Sequence, residues 1–121
     1  MAPWGGKVPV FGTNPMAFAF PRPGDAPMVI DQSSSKIARS EIQMHERAGK
    51  PIPLGWAIDR DGKPTTDAKA AMTGSVLPFG EYKGYGIALM VDLLAGALTG
   101  ACLSHEANSF LSAADGPPRT G

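Results

Sequence analysis

The chain has 121 residues, with 11 basic and 11 acidic side chains and no formal net charge. That length supports one domain with a modest core. The charge balance gives no basic stripe for nucleic acid and no acidic tail. A single cysteine, Cys102, excludes an internal disulfide framework and fits a reducing, cytoplasmic compartment; it reads as a small core residue rather than a nucleophile.

Taken in chain order, MAPWGGKVPVFG at the start has no apolar run of signal-peptide length. Gly12-Thr13-Asn14-Pro15 is a turn between two short apolar runs, and residues 16–20 form a strand. PRPGDAP at 21–27 is a loop, followed by a second strand at 28–31 that ends in Asp31. Gln32 and three serines come next, suited to capping a helix expected over 35–48, with Ile37, Ala38, Ile42, Met44 and Ala48 facing inward. Gly49 and Lys50-Pro51-Ile52-Pro53 close that helix. A third strand is expected over 55–59, then Asp-Gly turn chemistry at 60–63. A turn or cap follows at 64–67, and a short helical turn at 68–72.

Residues 77–100, LPFGEYKGYGIALMVDLLAGALTG, organise the chain. Gly80, Gly84 and Gly86 read as a glycine-rich turn carrying Lys83 and running into a long apolar helix. Backbone donors at a helix start, together with a lysine, suit a phosphate or carboxylate. The plainer reading is a buried helix entered through a glycine turn, with Lys83 in solvent. Lys83 is followed by Gly84, so the P-loop pattern fails; the third position of a dinucleotide fingerprint begun at Gly84 is Leu89, so that fails too. The helix carries Asp92 and is shorter than the roughly 20 apolar residues of a membrane span. Ile87, Leu89, Met90, Val91, Leu93, Leu94 and Leu98 surround it on every side, as in the centre of a larger fold. The rest of the chain offers little to cover it, so we expect a single partial domain over 1–121, the middle of a longer protein. Residues 101–121 lose periodicity and read as a loosely ordered tail.

Three polar clusters sit at strand ends or helix starts, where ligands dock: Thr13-Asn14, 31–35, and Tyr82-Lys83. Arg39 could fork onto a substrate carboxylate, or simply face solvent. His45 and His105 have no metal-ligand partners at suitable spacing, so no metal site is expected, and no side chain here makes a convincing general acid.

Four ordered motifs then coincide: Gly12-Thr13-Asn14-Pro15, Val29-Ile30-Asp31 with its serines, Pro53–Asp59 with Gly62–Asp67, and Gly80–Gly86. Together they resemble the type-2 malate/L-lactate dehydrogenase-like oxidoreductases, a family that includes ureidoglycolate dehydrogenase and piperideine-2-carboxylate reductases. The resemblance implies an incomplete mixed α/β fold without the Rossmann fingerprint, containing a long buried helix near 83–100. It also implies NAD- or NADP-dependent hydride transfer to a 2-keto or cyclic imino acid, or from the corresponding 2-hydroxy acid. By matching positions, Asp31, Gln32, Ser33, Tyr82 and Lys83 would line the cofactor, and Thr13 and Arg39 would face the substrate. The family commonly has Asp-x-Ala-Thr-Ser where this chain has Asp31-Gln32-Ser33-Ser34-Ser35, and paired glycines where it has Gly80-Glu81-Tyr82. Family members are much longer, and their catalytic histidine, in a Ser-His-Gly context, has no counterpart here. No catalytic role therefore passes to His45 or His105, and the chain alone is expected to be inactive. The resemblance further implies a homodimer for the full-length protein, with neither nucleic acid nor membrane as partner. The alternative is a non-catalytic interaction or scaffold module derived from the same fold; a plain domain binding a small anion at Lys83 is a third reading.

Overall fold

The computed structural model describes residues 1–108, 116–117 and 119–120. It contains helices and strands in two small antiparallel sheets. Strands β1 (Met16–Arg22) and β2 (Asp25–Gln32) form a hairpin through Pro23-Gly24, with Gly24 at φ +72°, a value that glycine adopts without strain. The register pairs Phe18 with Ile30 and Phe20 with Met28, so four large apolar side chains share one face. That face is open: all four are about half exposed.

The second sheet has the order β4-β3-β5, built from β3 (Ala57–Ile58), β4 (Pro64–Thr65) and β5 (Ser75–Val76). The β3–β4 turn follows its Asp-Gly chemistry: Gly62 takes φ +87°, and Asp59 Oδ1 accepts from the N–H groups of Asp61 and Lys63, both at 2.9 Å. The expected strand over 55–59 is shorter, and β5 carried no signal of its own. Helix α2 (Ala68–Thr73) stands where a helical turn was expected, capped by Asp67, whose carboxylate accepts from Lys69 N–H at 2.9 Å.

Helix α1 (Arg39–Arg47) begins later than the expected 35–48, and its N-cap is Ala38, with no side-chain bond. The serines do not cap it, because they are engaged elsewhere. Of the five side chains expected on its inner face, Ile42 is fully buried, whereas Met44 is exposed. Gly49 closes the helix at φ +61°, as its position suggested.

Helix α3 (Tyr82–Val91) continues into π-helical turns over Asp92–Ala97. Lys83 therefore lies in the first helical turn. Gly84 and Gly86 are helical, and of the three glycines only Gly80, at φ +51°, belongs to the turn before it. The expectation of a buried helix needs correction for this chain. Only Gly84, Ala88 and Gly96 are buried along it, while Leu93, Leu94 and Leu98 are 50%, 54% and 77% exposed. Its apolar girth exceeds what these strands and two short helices can cover.

The core comprises Ile42, Ile52, Ala57, Ala68, Ala71, Val76 and Ala88 with Met1, and Phe11, Ile37, Trp56 and Met72 pack against it. Of the expected tail, 101–108 is held in part: Ser104 bonds to Asp92 and Asn14, and Cys102 N–H donates to Arg119 C=O at 2.9 Å. Residues 109–115, 118 and 121 lie outside the described residues. No helix among the described residues is long and apolar enough to cross a membrane.

Candidate functional site

Ser34 is completely buried and ties together the three segments singled out from the sequence. Its N–H donates to Thr13 C=O at 2.7 Å and its hydroxyl to Asn14 C=O at 2.8 Å. Its own carbonyl accepts from Phe79 N–H at 3.0 Å, just ahead of α3. The loop at 13–14, the end of β2 and the entry to α3 thus meet at one residue.

Gly84 makes that meeting possible. A Cβ built there would lie 2.4 Å from Phe79 O and 2.7 Å from Ser34 O, so any larger side chain would push α3 off the serine segment. The sequence reading assigned Gly84 to backbone–ligand approach; the structure gives it to backbone–backbone packing. Gly86 has nothing within 4 Å and carries no such constraint.

Asn14 locks the loop from the other side. It sits at φ +40°, a region asparagine tolerates better than most residues, and is buried. Its Nδ2 donates to Ala88 O at 2.8 Å in mid-helix and to Asp92 Oδ1 at 3.4 Å. Ser104 completes the group, its hydroxyl bonding to Asn14 Oδ1 at 2.9 Å and to Asp92 Oδ1. Asp92 stands where α3 widens into its π-helical turns, a distortion common at functional sites. Among the described residues no buried side-chain polar atom lacks a partner.

Around Ser34, the expected site residues fall into three groups. Ser33 is partly buried and its hydroxyl is used internally, bonding to Ser35 O at 3.2 Å and Ser35 Oγ at 3.1 Å. Asp31 and Gln32 are exposed at the end of β2. Tyr82 and Lys83 are exposed on α3 and line a cleft of about 570 Å³ with Trp4, Lys36, Gly55 and Glu81. Thr13 and 31–33 adjoin Ser34 but do not line that cleft.

Arg39 does not join them. Its guanidinium donates to Met72 O at 2.7 Å, at the end of α2, tying α1 to α2. It also faces the Met1 amine, whose pKa is lowered from 8.0 to about 6, mainly by burial and secondly by the Arg39 charge. His45 lies on α1 with Nδ1 bonded to Pro51 O at 2.7 Å and its ring edge-on to Trp56, a packing role. No group of three or more His, Cys, Asp or Glu side chains among the described residues could hold a metal ion.

The sequence reading missed Ser34 as a hub, along with Lys36, Asp92 and Ser104. Lys36 has a local signal, being a lysine directly after the serine run. Asp92 and Ser104 have none, since their partner Asn14 is distant in the chain.

A nicotinamide dinucleotide offers phosphates, ribose hydroxyls and flat rings. Lys83 makes no ion pair with a carboxylate among the described residues and stands at the positive end of the α3 dipole, and Trp4 offers an aromatic face at the cleft. The donor set fits such a group.

The family model for malate/L-lactate dehydrogenase matches residues 1–121. A Delta(1)-pyrroline-2-carboxylate/Delta(1)-piperideine-2-carboxylate reductase from Pseudomonas aeruginosa is 56% identical over 110 residues, covering 91% of this chain and 33% of the relative. A (2R)-3-sulfolactate dehydrogenase (NADP(+)) from Chromohalobacter salexigens is 52% identical over 121 residues, covering all of this chain and 36% of the relative. The crystal structure of a delta1-piperideine-2-carboxylate reductase from Pseudomonas syringae superimposes with a TM-score of 0.86 at 40% identity, over 98% of this chain and 36% of that one. A dehydrogenase from Sinorhizobium meliloti gives 0.87 at 42% identity, over 98% and 34%. The chain therefore spans about a third of the length of the relatives it matches. With a family model matched along its whole length and that fold reproduced, the chain belongs to the malate/L-lactate dehydrogenase family.

Proposed function

We propose that this chain carries the central part of the cofactor seat of an NAD(P)-dependent oxidoreductase. The substrate would be a 2-keto or 2-hydroxy acid, or a cyclic 2-imino acid of the kind its relatives are named for. The observation that supports this reading is the junction at Ser34, where the 13–14 loop, the end of β2 and the entry to α3 meet.

In this reading Lys83 holds a phosphate oxygen, helped by the positive end of the α3 dipole. Tyr82 flanks it, and Asp31 and Gln32 meet ribose or amide groups from the exposed end of β2. Thr13 has a hydroxyl free of hydrogen bonds among the described residues, so it can orient the substrate's carboxylate or carbonyl. The bound dinucleotide would supply or accept the hydride. The proton donor does not come from His45 or His105, and we assign Arg39 to the α1–α2 contact instead of the substrate. In the same reading 1–121 form one partial domain of a longer protein, which is a cytoplasmic homodimer when full length.

Fluorescence titration with NADH and NADPH tests this on the wild-type chain and Lys83→Ala. We expect saturable binding that weakens about tenfold in the variant, the loss of one charge-assisted contact. Binding unchanged by Lys83→Ala would remove the seat from α3.

A second reading, an interaction module without chemistry, draws on the open apolar faces of β1–β2 and α3. A folded chain that binds neither dinucleotide yet associates through those faces would favour it.

A further inference from the structure

The cleft in front of α3 holds two lysines, and the seat described above uses only one. Lys36 follows the serine run, and its backbone is fixed: its N–H donates to Leu77 O at 2.8 Å, beside the bridge from Ser35 to Pro78. From that anchor its side chain extends over Gly55, with Nζ 3.5 Å from where a Gly55 Cβ would stand. Both Lys36 and Gly55 line the cleft with Trp4, Tyr82 and Lys83.

Neither lysine lies within ion-pair distance of a carboxylate among the described residues, and Glu81 is the acidic side chain lining the cleft. Two cations from separate segments therefore face one cleft with a single opposing charge. A ligand that carries two anionic centres can pair with both. The pyrophosphate of a dinucleotide is one such centre, suited to Lys83 because that lysine stands at the positive end of the α3 dipole. The second cation, Lys36, comes from the segment leading out of the serine run.

We propose that Lys36 selects a 2′-phosphorylated dinucleotide, binding the 2′-phosphate of NADP(H) while Lys83 binds the pyrophosphate. The Trp4 indole, 46% exposed at the same cleft, gives the adenine a stacking face. This inference rests on the cofactor-seat reading and assigns a specificity to it. A lysine acts as a point charge on a phosphate, so its contribution depends on salt and on the presence of that phosphate.

The test measures Kd for NADPH and NADH, and competition by 2′,5′-ADP and 5′-AMP, on wild type, Lys36→Ala, Lys36→Gln and Lys83→Ala. Thermal midpoints serve as the folding control. Lys36→Ala and Lys36→Gln should each weaken NADPH and 2′,5′-ADP at least tenfold, with NADH and 5′-AMP changed less than twofold. Lys83→Ala should weaken both dinucleotides alike. An equal loss for NADPH and NADH in the Lys36 variants, at unchanged thermal midpoints, would overturn the assignment, as would no loss at all. A wild-type chain that binds neither dinucleotide would overturn it together with the seat. A selective Lys36 effect with silent Lys83→Ala would uphold Lys36 while refuting the seat at α3.

Discussion

Removing the Ser34 hydroxyl leaves the Asn14 carbonyl without its 2.8 Å donor at a position closed to water. An unpaired buried carbonyl costs about 1–3 kcal/mol, so Ser34→Ala should lose that much in urea denaturation. It should also weaken dinucleotide binding, because the loop at 13–14 and the end of β2 lose a shared anchor. The Met1 amine gives a second residue-level expectation. With a folded-state pKa of about 6 against 8.0 unfolded, the unfolded chain binds more protons between those values. Stability should therefore rise from pH 6 to pH 8, by at most about 2 kcal/mol, and level off outside that window. Arg39→Ala should raise the amine's pKa and narrow the window, which an NMR titration of the Met1 amine would follow. Ser34 also marks the limit of what the sequence discloses at this scale. A serine before a helix reads as a cap, and nothing local tells capping from a bond to a carbonyl 20 residues away. That Lys83 stands at the start of a helix was legible, because the signals of a glycine turn entering a helix are local.

Among the elements, α3 separates two glycines that look alike in sequence. Gly84→Ala would set a methyl 2.4 Å from Phe79 O, against backbone that cannot yield, and should destabilise the chain by several kcal/mol. Gly86→Ala meets open space in a helix interior and should stabilise by up to about 1 kcal/mol. Thermal or urea unfolding of the two variants should move in opposite directions; a shared direction would mean that α3 does not pack on Ser34. The hairpin, the Asp-Gly turn, α2 and the Gly49 stop were readable because turn and cap chemistry is local. The start of α1 was misplaced because tertiary bonds claimed its serines. Strand β5 was unreadable because two residues, Ser75 and Val76, carry no periodicity and exist as a strand only by pairing with β3.

Over the whole molecule, apolar surface is the dominant unresolved feature. Phe18, Phe20, Met28 and Ile30 on the hairpin and Leu93, Leu94 and Leu98 on the last helix are all exposed. The sequence anticipated too little cover for that helix from its apolar residues on every side. It could not show which of them the chain itself would bury, because Ala88 and Gly96 rather than the leucines make the close contacts. Leu94→Glu with Leu98→Glu should leave the unfolding free energy within about 0.5 kcal/mol of wild type, since neither side chain is in the core. The same pair should reduce binding of a hydrophobic dye and any self-association seen by light scattering.

In the proposed seat, three segments distant in sequence come together through Ser34 to hold one dinucleotide. Hydrogen exchange of the chain with and without saturating NADPH tests this most directly. A shared seat should slow exchange at 13–14, at 33–36 and at 80–85 together, each loosened by Ser34→Ala. Protection confined to one of these segments, or protection that Ser34→Ala leaves intact, would contradict it.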